Sequence, residues 1–485
     1  MTTIQVYNSL TRQKEALQPI SPGRIGMYVC GPTVYSDCHI GHLMGPILFD
    51  AIARWFIARG FAVRFVNNIT DIDDKIINRS LESGEPWQAI TERYTAQYFD
   101  FLQRLGVSTI TDHPKATEHI PGMIAYIQDL IDRGMAYAGD DGVYFEVSKK
   151  DGYGKLSGRR ADDMRSGARI ERGSCLHHPG DFALWKAAKP GEPSWESPWG
   201  AGRPGWHIEC SVMTNALLGD SFDIHGGGDD LKFPHHENEI AQGEAHGGEY
   251  ARVWMHNGLI QYEGAKISKS DPRNADPAFA GQFKAQHLLD TYGPATVRFF
   301  FLQGHYRRPF DFAPQHLRAA GAALERLHRQ LGPLLDEPGQ ASLEEILARP
   351  LESEAGKRVQ QFCAAMDDDF NTGAAFGHLF AIAGLAKKAD GQMAQLLLQT
   401  LRDCGRLLGC FQPGDQAGSD QGASGEAQND GDELSRQLME LILSLRAEAR
   451  AKKDFATADA IRDGLKALRI TVADGPQGSS WTRET

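Results

Sequence analysis

A chain of 485 residues exceeds what a single hydrophobic core holds, so about three or four domains are required. Its 51 Lys and Arg against 63 Asp and Glu leave a net charge of −12, which excludes binding to nucleic acid by overall charge; any RNA partner needs a local basic surface. With 41% hydrophobic and 24% charged residues the composition is that of a globular protein, no stretch reads as long enough to cross a bilayer, and MTTIQVYNSLTRQKE has no apolar signal core, so no membrane partner is expected. The seven cysteines (30, 38, 175, 210, 363, 404 and 410) are scattered without a CxxC, which argues against a disulfide framework and for a reducing, cytoplasmic setting.

In chain order, the apolar run Ile25, Met27, Val29 reads as a strand that passes through a Gly31-Pro32 turn into Cys38-His39-Ile40-Gly41-His42. Met44, Ile47, Leu48, Ala51, Ile52 and Trp55 then recur at helical spacing, which sets His39, Gly41 and His42 at a helix N-terminus, where free N–H groups favour an anion. Residues 62–69 read as a second buried strand, and Thr70 to Lys75 open another loop and helix. Strand, helix and strand with polar connections imply a doubly wound parallel sheet with its site at the strand ends. From 113 to 200 the pattern changes to a helix (120–133), a hairpin (135–147) and a basic, glycine-bearing stretch, read as an insertion. The α/β pattern returns at Trp206 and runs to about 260. Residues 261–312 hold a lysine-bearing loop, and 313–411 form a helical bundle, marked by Leu317, Ala320, Leu324, Leu327 and Leu331. Residues 412–432 have the composition of a flexible linker, and 433–485 form a small α+β domain.

Three constellations can carry chemistry. In the first, Gly41 lets a flat ring approach the backbone, and His39 and His42 can donate to a phosphate. In the second, His235 and Glu239 lie one helical turn apart after Pro234 and can supply two ligands to one Zn²⁺, with Cys30 and Cys210, both beside expected strand ends, as thiolate companions. The same four residues can also be read as two buried thiols and a charged helix start, and Cys175 with His177 and His178 is a competing cluster without a fourth ligand. In the third, Lys266 and Lys269 flank Ile267 and Ser268 in a small-residue loop able to close over a triphosphate, or simply to be solvated. MDDDFNT (366–372) reads as the start of a helix in the bundle rather than a metal cluster, because three adjacent aspartates cannot share one helical face.

CHIGH followed by KISKS resembles the paired HIGH and KMSKS signatures of class I aminoacyl-tRNA synthetases. The segments MYVCGPTVY, NITDIDDKI, GRPGWHIECS, HGGGDDLKFPHHENEIAQ, DDDFNT and FATADAIRDGLKALRITVADGPQGSSW resemble the cysteinyl-tRNA synthetase family in particular, from about residue 5 to 482 apart from the linker. The resemblance implies a Rossmann-type, HIGH-class catalytic domain over 1–112 and 201–260, with 113–200 as a connective segment touching the tRNA acceptor end. It implies that 261–312 carries the KMSKS-type loop, that 313–411 is the bundle, and that 433–485 binds the anticodon. The implied reaction joins L-cysteine to Mg-ATP as cysteinyl-adenylate and then moves the acyl group to the 3′ end of tRNA(Cys).

Residue by residue, the resemblance puts adenine on Gly41, the phosphates on His39 and His42, and the β- and γ-phosphates on Lys266, Ser268 and Lys269. Asp230 would take the ribose, Thr70 and Trp206 would line the cysteine pocket, and Cys30, Cys210, His235 and Glu239 would hold one Zn²⁺ that contacts the cysteine. Cys38 is packing, the basic run 446–463 and Trp481 face the anticodon, and the chain is a monomer without an editing domain. Departures from the pattern are Ile267 for the usual Met, Asp271-Pro272-Arg273-Asn274 after the loop, and Leu43-Met44-Gly45-Pro46 after the HIGH residues. Two other readings share the motifs: a ligase giving cysteine to an amino sugar, disfavoured by the 433–485 tail, and a non-catalytic paralogue, disfavoured by the intact histidines, lysines and ligand set.

Overall fold

The structure, a computed structural model, describes residues 3–159, 176–266, 272–351 and 353–415, then 442, 446, 449, 454–467, 470–475 and 478–483. It divides into two units, Met1–Gly418 and Ser419–Thr485. The first opens with an antiparallel hairpin, β1 (Gln5–Asn8) and β2 (Gln13–Ala16). Next come β3 (Arg24–Val29), α1 (Ile40–Ala58), β4 (Ala62–Asn67), α2 (Asp74–Ser83) and α3 (Trp87–Arg104). A segment of α4 (Ile120–Asp132) and four antiparallel strands follows: β5 (Ala136–Gly139), β6 (Gly142–Phe145), β7 (Phe182–Ala187) and β8 (Gly202–Pro204). Its last strand thus lies beyond residue 200, where the sequence pattern placed the boundary.

The chain then returns through α5 (Trp206–Leu218), β9 (Ser221–Gly228), α6 (His235–His246) and β10 (Tyr250–Asn257). The central sheet is wholly parallel in the order β10-β9-β3-β4. Alternation along its strands builds two cores. Ile25, Met27, Val29, Ile224 and Met255 join α1 and the bundle on one face, while Tyr28, Phe222 and Trp254 join α4, α5 and the antiparallel sheet on the other. The helix α4 and the strands β5–β8 therefore cover one face of the central sheet. No stretch was expected to reach bilayer-spanning length, yet Ile40–Ala58 passes by length and composition; 72% of it is buried in the protein, because it is the core helix between sheet and bundle.

A small sheet of β11 (Ile260–Tyr262), β12 (Ala265–Lys266) and β13 (Phe310–Asp311) surrounds α7 (Pro277–Gly281), α8 (Ala285–Tyr292) and α9 (Pro294–Leu302) in sequence. The helices α10 (Pro314–Leu331), α11 (Leu343–Leu347), α12 (Ser353–Asp367), α13 (Thr372–Ala386) and α14 (Gly391–Arg406) complete the unit. Packed chain continues past residue 411, with Phe411 buried and Gln412 N donating to Asp415 at 2.8 Å. In the second unit, α15 (Phe455–Ala467) leads to a hairpin of β14 (Ile470–Gly475) and β15 (Gly478–Arg483). Trp481 lies on β15 opposite Val472, and of the basic run 446–463, residues 447, 448 and 450–453 lie outside the described residues.

The aspartate run does not begin a helix as expected. Asp367 ends α12, Asp369 and Phe370 take positive φ in the turn, and Asn371 caps α13. The three carboxylates part in three directions: Asp367 to Arg59 and the Trp55 indole, Asp368 to Lys14, and Asp369 to Arg307, Tyr306 and Tyr7 N. The turn thereby ties the bundle to α1, to the first hairpin and to the 305–309 segment.

A second junction centres on Asp50, fully buried in α1. It accepts from Arg54 (2.7 Å), Arg298 (2.5 Å), Ser108 N (3.0 Å), Thr109 N (3.1 Å) and Thr109 Oγ1 (2.8 Å). Burial works to raise its pKa, but Arg298 and Arg54 outweigh it and hold the carboxyl at about 2. Because the folded value lies below the unfolded one, this contribution of about 2–3 kcal/mol is present above pH ~4 and is lost as pH falls through the folded value. Asp50→Asn is expected to cost about 3–5 kcal/mol in urea unfolding at pH 7, since it leaves Arg298 buried without its counter-charge. Its stability should also change less between pH 5 and 2 than that of the parent; an equal acid slope in both proteins would contradict the assignment.

Candidate metal centre and active site

The connections leave β3 in opposite senses, through α1 to β4 on one side and later to β9 and β10 on the other, so the carboxyl ends of β3 and β9 form the crevice where open α/β sheets bind ligands. Cys30 follows β3 directly and its N–H donates to Gly226 O of β9 at 3.2 Å. Gly31 must be glycine: its N–H donates to Asn68 Oδ1 at 2.8 Å, and a Cβ would stand 1.6 Å from Asn68 O. Cys210 was expected beside a strand end but sits in the second turn of α5, and Pro234 precedes α6 instead of occupying its first turn. His235 and Glu239 still share one face of α6, separated by four residues.

These segments bring Cys30, Cys210, His235 and Glu239 together with donor atoms within 4.8 Å of one another. Cys30 Sγ lies 4.0 Å from Cys210 Sγ and 3.8 Å from Glu239 Oε1. His235 Nε2 lies 3.5 Å from Cys210 Sγ and 3.1 Å from Glu239 Oε1. Tetrahedral bonds of ordinary zinc lengths require about 3.8 Å between two sulfurs and roughly 3.3–3.6 Å between mixed donors. The observed spacings fit, so the donor set suits a divalent cation of tetrahedral preference.

The shell behind the donors orients them. Glu239 turns Oε1 inward because Oε2 is held by His225 Nε2 at 2.7 Å and Tyr250 OH at 2.8 Å. His235 Nδ1 meets His207 Nδ1 at 2.9 Å, and the Trp206 indole stacks on the His235 ring at 4.1 Å. Burial pushes the Cys30 thiol well up, whereas its hydrogen bond lowers Cys210 to about 6. Burial opposes ionisation of His235, but Glu239 and Cys210 raise its pKa; the same histidine together with His225 lowers Glu239 against burial. A bound cation would take both sulfurs as thiolates, so its binding would release protons.

His225, His236, His207 and Tyr250 are site residues that the sequence reading missed. Cys30, His225, His236 and Glu239 even form an overlapping donor group, with His236 Nε2 at 3.4 Å from Cys30 Sγ. His225, however, is spent on Glu239, and His236 Nδ1 on His256 Nε2 at 2.8 Å, and only the first set offers two sulfurs. Of the competing cluster, Cys175 lies outside the described residues, His177 stacks on Tyr137, and His178 Nδ1 accepts from Gly180 N.

His39 is the N-cap of α1, with Gly41 and His42 in the first turn. His39 Nδ1 accepts from Gly41 N at 3.1 Å and His42 Nδ1 accepts from His39 N at 3.2 Å, a reciprocal capping box with the rings stacked at 3.9 Å. Accepting at Nδ1 leaves the proton of each neutral imidazole on Nε2, so both are assigned as Nε2 donors. The space above Gly41 is filled by the His39 ring, which a Cβ would approach to 2.9 Å. Thr70 is buried and donates to Glu209 Oε2 at 3.0 Å, and Asp230 lies exposed just after β9. Lys266 ends β12; Ile267 to Asp271, including Ser268 and Lys269, lie outside the described residues. Cys38 is buried and pushed up to about 12 by burial, a packing thiol. A cavity of about 210 Å³ between α3, α9 and the 409–415 segment shares no residue with this site.

A doubly wound parallel sheet with this site at the ends of its strands is the architecture of a class I tRNA synthetase. The sequence profile described as the class I (C) tRNA synthetase catalytic domain matches residues 16–322, the DALR domain 361–412, and the cysteinyl-tRNA ligase anticodon binding domain 432–481. Similar folds are Mycobacterium tuberculosis methionyl-tRNA synthetase bound by methionyl-adenylate (TM-score 0.55, 15% identity, 79% of this chain and 90% of that one) and Agrobacterium radiobacter K84 LeuRS in a tRNA complex (TM-score 0.56, 14% identity, 82% and 85%). Proteins named cysteine–tRNA ligase from Pseudomonas aeruginosa (46% identity) and Geobacter metallireducens (45%) align over 99% of this chain and 99% of their own. The chain belongs to the cysteinyl-tRNA synthetase family.

Replacing Cys210 by Ser is expected to reduce tightly bound metal to below about one-tenth per chain, while Cys38→Ser retains about one, as judged by metal analysis of the purified proteins. Stoichiometric metal in Cys210→Ser would contradict the ligand set.

Proposed function

We propose that the protein is a cysteine–tRNA ligase. A carboxylate oxygen of L-cysteine attacks the α-phosphorus of Mg-ATP, the bond to pyrophosphate breaks, and the cysteinyl-adenylate then passes its acyl group to the 3′-terminal adenosine of tRNA(Cys) with release of AMP. The observation that carries this reading is the convergence of Cys30, Cys210, His235 and Glu239 at tetrahedral spacing beside the β3–β9 crevice. We assign the ion to zinc, which supplies a soft Lewis acid that takes a thiolate far better than a hydroxyl. An isosteric exchange in an ordinary pocket is discriminated by only about 1–3 kcal/mol, too little to reject serine without editing.

The chain's own groups would do the rest. Trp206, stacked on His235 and 37% exposed, closes one side of the amino-acid pocket, and Thr70, fixed by Glu209, another. The Nε2 protons of His39 and His42 would donate to the phosphates as charge grows there, with the anion at the amino end of α1. Adenine would take the position of the His39 ring over Gly41, which requires that ring to swing aside. Asp230 would hold the ribose, and Lys266, Ser268 and Lys269 the β- and γ-phosphates. The Ser419–Thr485 unit would bind the anticodon stem-loop. The described cysteines are free thiols, in keeping with a cytoplasmic enzyme, which we take to act as a monomer.

ATP–pyrophosphate exchange on zinc-loaded protein tests this directly: exchange is expected with cysteine and falls at least about ten-thousandfold with serine, the level translation needs and an isosteric pocket alone does not supply. Exchange with both amino acids, or with neither, would overturn the assignment.

A further inference from the structure

Helix α6 carries a second buried face that the reaction above does not use. Glu237 lies between His235 and Glu239 in sequence but points roughly to the opposite side of the helix. Its carboxylate is 1% exposed and accepts from three backbone groups of the connective segment: Gly154 N (3.0 Å), Leu156 N (3.4 Å) and Ser157 N (2.8 Å). Among the described residues no Lys or Arg pairs with it, so these N–H groups are what makes its burial tolerable. Gly154 is required for their convergence: its φ is +95°, and a Cβ would stand 1.9 Å from Arg159 O. Four further contacts follow the same line. Tyr153 OH donates to Asn238 Oδ1 at 2.5 Å, Lys150 (2.8 Å) and Lys155 both reach Glu244, and the Arg159 guanidinium lies 4.8 Å over the Phe233 ring.

The seated segment is basic. Residues 149–159 hold Lys149, Lys150, Lys155 and Arg159 against Asp151, in a chain whose net charge is −12; Lys149 pairs with Glu146 at 2.7 Å and Lys150 and Lys155 share Glu244, and Lys149, Lys155 and Arg159 are the exposed cations of the segment. That is the kind of local surface an RNA partner demands of an acidic protein. We propose that Glu237 is a positioning residue: it fastens the basic 150–159 segment to the metal-bearing helix, so that RNA phosphates held by the segment are presented in register with the amino acid held by the opposite face. The fastening stands on the hydrogen bonds; its consequence for RNA rests on the function proposed above.

The test uses the full-length, zinc-loaded protein carrying Glu237→Gln, which keeps the size but turns an amide N–H₂ toward one of the three backbone donors. Amide hydrogen exchange at Gly154, Leu156 and Ser157 is expected to rise about tenfold, the effect of losing one charge-assisted hydrogen bond, with α6 unchanged. Zinc content and cysteine-dependent pyrophosphate exchange stay within about twofold, while KM for tRNA(Cys) rises about five- to tenfold at nearly constant kcat. Gly154→Ala, which breaks the seat from the loop side and leaves α6 untouched, should reproduce the rise in KM. Unaltered exchange at the three amides overturns the fastening. Faster exchange with an unaltered tRNA KM overturns the presentation role, and so does a parallel loss of zinc and of pyrophosphate exchange. If the parent protein itself fails to activate cysteine, the proposed function falls, while the hydrogen-exchange result still decides the fastening.

Discussion

Cys30, Cys210, His235 and Glu239 gather two thiols, an imidazole and a carboxylate in one place, with Cys30 half-buried and the other three buried. Such a set is stable only if every donor finds a partner, because a buried unpaired charge costs several kcal/mol. Without a cation the four donors have only one another and the His225, Tyr250 and His207 contacts behind them. With a cation all four are satisfied at once. The surrounding histidines and Tyr250 have no role unless the four donors must point at one place, and that requirement explains why α6 is polar yet wholly buried over His235–Gly243.

The rest of the fold serves to hold the three segments that supply those donors. Hydrogen bonding of Cys30 to β9 and the fit of Gly31 against Asn68 fix the end of β3. Packing of α4 and the β5–β8 sheet on the second core fixes α5 and α6 from outside. On the opposite face, the position of the core helix α1 is set by two carboxylate junctions, Asp50 and the Asp367–Asp369 turn. The placement of α1 beside the strand ends thus depends on ion pairs far from it in sequence, at residues 298, 307 and 367.

Much of this was legible in the sequence. Short apolar runs located β3 and β4, whose last three residues are all buried, and period-3.6 spacing located α1 and α10. The pairing of His235 with Glu239 was readable because helical spacing is local. Cys210 was misplaced beside a strand because WHIECS buries polar and apolar residues alike and so has no clear period. His225, His236 and His207 were missed for a different reason: their roles come from contacts across 14 to 28 residues of chain, or with Cys30 some 206 away, and no spacing rule encodes such distances. A run such as His-His-Glu-Asn-Glu in a helix expected to be buried is a usable signal, since so much buried polarity demands an ion or a dense hydrogen-bond network. The aspartate run was misread because a turn with two positive-φ non-glycine residues leaves no signature in composition.

The central claim, that these four donors hold a metal which recognises the thiol of the amino acid, is tested most directly by optical spectroscopy of protein loaded with cobalt(II) in place of zinc. The account expects the intense visible bands of a tetrahedral site with two sulfur ligands, and a further sulfur-to-cobalt charge-transfer band on adding cysteine but not serine. A six-coordinate, weakly absorbing cobalt spectrum, or one that cysteine and serine change alike, would contradict it.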